Sequence, residues 1–386
     1  MGISVAPSVI SGMVRDRRHL HRHPEVGIDL PDTHDYLVSR LSELGFSPEH
    51  HPGTGVSVTI PGTQPEATPL VFRADMDALP IREDSGEEFS SERAGAMHAC
   101  GHDLHMAALL GAVEHFCSHP PQRPLVIAFQ PGEEGDRGAV QTLTHQNLQL
   151  EKAEAFAVHV NAALPARSVH YRAGVFMAFG DWFDISLEGP GGHAAAPEAT
   201  GNPIRAGSVI EEDLVALAQS LSTPDSRVVA TVTEFLGGNT VNVIPTRTTL
   251  RGTLRTVSAE SRTSLHEGLQ TIVDEAAARS RVSGTLTIHE GYPAVDCDPD
   301  FVTAAVDLFS TKEVASPVPM GHASMVIEDF SYFLHKWPGA MMWVGAATSD
   351  TPVFNHSAHA TFDESAMQTA TELFVALANT DQALTA

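Results

Sequence analysis

Apolar and polar positions along the chain change period several times, and each change marks an element. Over 8–22 and 32–44 apolar residues recur at helical spacing, and Gly45 supplies a stop signal. Continuous apolar runs of strand length follow at Val56–Ile60, Leu70–Ala74, Leu125–Gln130 and Ala155–Val160, with a helical pattern at Leu104–Phe116 between two of them. Alternation of this kind predicts an α/β sheet flanked by helices, and wholly apolar runs such as LVIAF belong at its buried centre.

After about residue 175 the pattern changes. Asp181–Glu188 alternates, and a Gly-Pro-Gly-Gly loop follows. Then come a helix at 203–221, strands at 228–236 and 248–256, a helix at 258–280 and a strand at 283–289. That β-α-β-β-α-β order is a split, ferredoxin-like unit. From about 290 the chain returns to helix (300–310), strand (Ala340–Val344) and a last helix (363–384). The economical architecture is a helix-flanked mixed sheet, 1–176 with 289–386, interrupted by an inserted α+β domain at 177–288.

Composition narrows the classes. With 42% hydrophobic residues in 386, the chain is globular and long enough for one large or two medium domains. A net charge of −25 disfavours nucleic acid and anionic lipid, so an anionic substrate needs local cations. Only three cysteines are present, Cys100, Cys117 and Cys297, which is no disulfide framework and fits a reducing compartment. No basic stretch leads into a signal-like apolar core, and no apolar run is of membrane-spanning length. The expectation is a cytoplasmic protein.

The chemistry concentrates in Met97–His105, where one thiol, three imidazoles and a carboxylate precede an apolar helix. Cys100 and His102 stand at a strand-to-helix turn, where a helix N-terminus favours thiolate and two such side chains can converge on an ion. Glu133 and Glu134 follow the buried strand 125–130, so one can coordinate a metal while the other accepts a proton from water. His159 ends an apolar strand, and Asp75 and Asp77 follow another, from where they can orient ligating imidazoles. NHSAHATFDE offers His356 or His359 as a late ligand. In the inserted domain, His193 lies in a Gly-rich loop from which it can stabilise an oxyanion. Asn242 and Arg255 are the amide and guanidinium that a substrate carboxylate needs.

These residues lie in stretches that resemble a known family. HLHRHPEVG (19–27), FRADMDALPI (72–81), GAMHACGHDLHMA (95–107), FQPGEEG (129–135), GGHAAAP (191–197), NVIP (242–245), GTLRT (252–256) and EDFSYF (328–333) occur in its order and span nearly the whole chain. The chain resembles the aminoacylase/carboxypeptidase-type dinuclear metallopeptidases, in the branch of hippurate hydrolases, N-acyl-amino-acid amidohydrolases and auxin-conjugate hydrolases. The resemblance implies two divalent metal ions (zinc, manganese, cobalt or nickel) held by Cys100, His102, Glu134, His159 and His356. It implies Glu133 as general base, His193 as a lid histidine for the oxyanion, and Asn242 and Arg255 on the substrate's carboxylate. It also implies a homodimer formed through the inserted domain.

The expected activity is metal-dependent hydrolysis of N-acyl-L-amino acids, hippurate-like or N-acetylated, by activated water. Within the same fold, the alternatives are a dipeptidase or an N-acetyl-diamino-acid deacetylase. Outside it stand a cysteine hydrolase with Cys100 as nucleophile and a non-catalytic metal-binding protein. The chain departs from the family pattern at Glu198, Asn202 and Met325–Ile327, positions that bear on substrate preference, and at Ala358, which leaves the late ligand open between His356 and His359.

Overall fold

The computed structural model describes residues 3–51, 53–351 and 353–385. The chain divides into two units, Met1–Phe176 with Asp296–Gly321 and Asp329–Ala386, and Met177–Val295 with His322–Glu328.

The first unit is built on an eight-stranded mixed sheet. Its order is Glu49–His50, Val56–Ile60, Leu125–Gln130, Leu70–Asp75, Glu154–Asn161, Gly339–Gly345, Val169–Tyr171 and Val318–Pro319. The four strands from Leu125–Gln130 to Gly339–Gly345 run parallel. Every residue of Leu70–Asp75, Leu125–Gln130 and Gly339–Gly345 is buried, which is why these runs carry no polar alternation. Helix His102–Ser118 packs between Pro7–Arg22 and Ser365–Ala378, and most of its residues are buried. This explains an apolar pattern that wraps all the way round it.

In the second unit, strands Val228–Gly237, Arg247–Thr256, Phe179–Glu188 and Ser283–Tyr292 form an antiparallel sheet in that order. Helices Pro203–Leu221 and Ala259–Ser280 pack on it around Ile185, Leu187, Ile210, Leu214, Leu250, Leu265 and Leu269. This is the ferredoxin-like arrangement, its two central strands, Arg247–Thr256 and Phe179–Glu188, burying alternate residues. Asn202 caps the first helix by accepting from Ile204 N at 3.0 Å, and Ser258 caps the second by accepting from Ser261 N at 3.1 Å.

Three boundaries differ from the reading of the sequence. The second unit runs to Val295, past the expected 288, because strand Ser283–Tyr292 continues through a register shift between Glu290 and Tyr292. It also takes in His322–Glu328, a stretch without periodicity. The last helix ends at Ala378, not 384, because the Ala378 carbonyl accepts from Gln122 N and Arg123 N at 3.0 and 3.2 Å. The short helices Gly138–Thr142 and Ser331–Lys336 offer too few turns for a periodic signal.

Candidate metal centre

Four parallel strands deliver their carboxyl ends, Asp75, Gln130, Asn161 and Gly345, to one edge of the first unit's sheet, where open α/β sheets place their sites. Gly101, at φ +91°, turns the chain there from the Cys100 segment into the helix. A Cβ at Gly101 would collide with Val160 Cγ2, so both conformation and space demand glycine. The helix begins at His102 itself, two residues earlier than its apolar pattern, because a polar first turn hides the start.

Cys100 Sγ lies 3.4 Å from His159 Nε2 and 3.2 Å from His356 Nε2. His356 Nε2 is also 3.2 Å from Glu134 Oε1. His356 sits at φ +68°, a strained conformation for a side chain of its size, and its N–H is held by Ala99 O at 2.8 Å. His359 turns elsewhere, with Nδ1 2.6 Å from Asp84 O. Asn355, which no sequence signal singled out, donates from Nδ2 to Cys100 O and Val160 O at 3.0 and 3.1 Å and so ties this late segment to the strand ends.

Backbone groups set the imidazole tautomers. His102 Nδ1 is 2.8 Å from Asp77 O, and His159 Nδ1 is 2.8 Å from Val160 O. A carbonyl only accepts, so both rings carry their proton on Nδ1 and present a lone pair from Nε2. His102 Nε2 is buried without a hydrogen-bond partner among the described residues and lies 3.7 Å from Asp75 Oδ2. A lone pair facing a carboxylate is an arrangement that a cation relieves.

Among the described residues, the groups whose ligand atoms lie within 4.8 Å of one another include three drawn entirely from the expected site residues: Cys100 with His102 and His159, Cys100 with Glu134 and His356, and His102 with Glu133 and Glu134. Two of them share Cys100, so the residues fit a pair of ions sharing one thiolate.

The protonation states agree with that fit. Burial pushes the Cys100 thiol well up, and the charges of Glu134, Glu133 and Asp75 push it further. Such a thiol ionises only beside a cation. Burial holds His102 below its ordinary value and His159 well below, so both are neutral and available as ligands. Burial acts to raise Glu134, but the hydrogen bond with His356 and the nearby imidazoles bring it below the usual carboxylate range. Asp77 organises the other side. Its Oδ1 and Oδ2 accept from Glu133 N and Glu134 N at 2.9 and 3.0 Å, which fixes both glutamates to the carbonyl that holds His102. Asp75 Oδ1 meets His105 Nδ1 at 2.6 Å. His105, one turn beyond His102, is one of the three imidazoles of the Met97–His105 segment but was assigned no role from the sequence.

The inserted-domain residues lie in the second unit. His193 belongs to a two-residue ladder with Val243 and Ile244, which replaces the free loop expected there. Ala194 N donates to Asn242 O at 3.1 Å, so this ladder brings His193 and Asn242 into one local structure. His193 Nδ1 accepts from Ala195 N at 3.0 Å, which leaves the ring proton on an exposed Nε2. Arg255 lies over the Trp182 ring with its Cζ 5.8 Å from the centroid, and its buried Nη1 has no hydrogen-bond partner among the described residues.

The family profile described as Peptidase family M20/M25/M40 matches residues 71–380. The N-acetyldiaminopimelate deacetylase of Bacillus velezensis is 35% identical over 369 residues, 94% of this chain and 96% of the relative. The enzyme of the same name from Bacillus subtilis is 35% identical over 367 residues, with the same coverage of 94% and 96%. Among solved structures, a dinuclear metal binding peptidase of the M20 family from Bacillus subtilis matches with a TM-score of 0.82 at 27% identity, covering 97% of this chain and 98% of that one. The chain belongs to peptidase family M20/M25/M40 and is an amide-bond hydrolase.

Proposed function

We propose that this chain removes the acyl group from N-acyl-L-amino acids, with Cys100, His102, Glu134, His159 and His356 holding two divalent metal ions and Glu133 acting as general base. The observation that carries the reading is the sharing of Cys100 between two donor groups with Glu133 beside them. Bound divalent ions supply Lewis acidity to the acyl carbonyl and to the attacking water. Zinc, manganese, cobalt and nickel all suit a mixed Cys/His/Glu donor set.

The chain's own residues do the rest. Glu133, 5% exposed and fixed at its backbone by Asp77, takes the proton from water and returns it to the leaving amine. The Nε2–H of His193 donates to the oxyanion. The buried Nη1 of Arg255, without a hydrogen-bond partner among the described residues, and the amide of Asn242 take the substrate carboxylate. A cysteine-nucleophile reading fares worse, because burial and the carboxylates keep the Cys100 thiol protonated unless a cation is present.

The names of the relatives favour an N-acetylated diamino acid within this substrate class. A homodimer through the second unit is supported by its edge strand Val228–Gly237, where Leu236 is 58% exposed, and by the fully exposed Val241 in the segment that follows. Three free cysteines support a cytoplasmic setting, and no described helix is long and apolar enough to cross a membrane.

The test is a panel of N-acetyldiaminopimelate, N-acetyl- and N-benzoyl-amino acids and their α-carboxamides, followed by release of free amine. Hydrolysis of the acids with the carboxamides at least tenfold slower is expected. Equal rates for acids and amides would remove the carboxylate from the reading, and no release from any acid would remove the substrate class.

A further inference from the structure

Behind the donor groups lies a layer of buried charge that the proposed chemistry leaves unused. Arg73, 1% exposed on strand Leu70–Asp75, donates from Nη1 to Asp75 Oδ2 at 2.7 Å, from Nη2 to Asp329 Oδ1 at 2.9 Å and from Nε to Gln130 Oε1 at 2.9 Å. Asp329, fully buried, also accepts from Gln130 Nε2 at 2.8 and 2.9 Å and from Ala139 N at 2.9 Å. On the far side, Asp75 Oδ1 meets His105 Nδ1 at 2.6 Å, and His105 Nε2 accepts from Val160 N at 2.8 Å. A backbone N–H only donates, so the His105 proton is on Nδ1 and Asp75 is its acceptor.

Both arms of this network end beside the site. The line Asp329–Arg73–Asp75–His105 reaches the backbone of Val160, next to His159, and the Val160 carbonyl fixes the His159 ring. The other arm is Gln130, the last residue of the strand that leads to Glu133 and Glu134. Stability alone gives little reason to bury a guanidinium between two carboxylates, since well-packed apolar residues often serve as well. Orientation does give a reason. Groups that hold ligating imidazoles from behind fix the ring's direction and its tautomer.

We propose that Asp329 is a positioning residue of the metal centre, which acts through Arg73 to hold Asp75, His105 and the Val160 backbone so that His159 Nε2 faces Cys100. The inference rests on the metal-site reading above. It is tested with Asp329→Asn, by zinc affinity in competition with a chromophoric chelator, by kcat and KM, and by the Tm of the metal-stripped protein. The expected result is a 10- to 100-fold loss in zinc affinity and kcat, with KM within about threefold of wild type.

Leu37→Ala, in the core of the same unit away from the network, is the control for a merely structural effect. It should lower Tm with zinc affinity and kcat intact. The same pattern in D329N, a lower Tm with wild-type zinc affinity and kcat, would overturn the proposal. Should D329N fail to fold, Gln130→Leu cuts one arm without changing charge. At least a threefold loss of zinc affinity is expected there, and wild-type affinity would count against the proposal equally. Wild-type protein that binds no zinc would instead overturn the metal-site reading itself, and this inference with it.

Discussion

Glu133 and Glu134 are neighbours in sequence with the same side chain, and their surroundings assign them different work. Glu134 Oε1 lies 3.2 Å from His356, among the donor atoms, whereas Glu133 is nearly buried beside them and is held through its backbone N–H by Asp77. Replacing Glu133 with Gln keeps the volume and removes the base. Turnover should fall about 10²- to 10⁴-fold while zinc affinity, measured by chelator competition, stays within a few-fold of wild type. Retained turnover would take the base away from Glu133. At this scale the sequence was legible where residue type and order carry the chemistry: Cys100, His102, the glutamate pair and His159 stood out as thiolate, imidazole and carboxylate at strand ends. Asp77 was legible as a residue that can orient imidazoles, but its use of the backbone carbonyl for His102 and of the carboxylate for the glutamate backbone was not, and neither was Asn355, because these contacts involve backbone groups brought together from distant segments.

Helix His102–Ser118 carries a metal-ligand candidate on its first turn and is anchored there by charge. Asp103 Oδ2 meets His21 Nδ1 at 2.9 Å and Arg17 Nε at 3.2 Å, and His21 Nε2 lies 3.2 Å from Glu83 Oε1. Burial alone would lower His21, but the charge of Asp103 and hydrogen bonds to Asp103 and Glu83 raise it to about 9. With the folded value raised, the contribution of this pair is complete below the free-chain value of 6.5 and declines as pH rises through about 9. It amounts to about 3 kcal/mol at most. Metal-stripped protein should therefore lose Tm between pH 6.5 and 9, and His21→Gln should flatten that slope. Parallel slopes would mean that His21 is neutral in the folded state. The partner runs the opposite way: Glu83, lowered to about 2, contributes above its ordinary 4.5 and fails as pH falls through about 2. The motif HLHRHPEVG was legible as a match to a family, but its physical part, a brace under the ligand-bearing helix, appears only when residue 21 meets residue 103.

Across the whole molecule, the two periodicities of the sequence correspond to two kinds of layer, buried parallel strands in one unit and half-buried antiparallel strands in the other. Long periodic segments were legible because repetition outweighs local noise, whereas 322–328 joins the second unit without any such signal. The edge strand Val228–Gly237 and its exposed Leu236 bear on assembly. Sedimentation of the wild-type protein should show a dimer, and Leu236→Lys should shift it to monomer with little change in Tm. A wild-type monomer at micromolar concentration would remove the dimer from the account. The central claim, a two-metal amide hydrolase, is tested most directly by titrating chelator-stripped protein with zinc, manganese or cobalt while following amine release from an N-acetyl-amino acid. The account predicts no turnover in the stripped protein and a rise that levels off near two equivalents of metal per chain, as the two donor groups sharing Cys100 require. Full turnover without metal would contradict it.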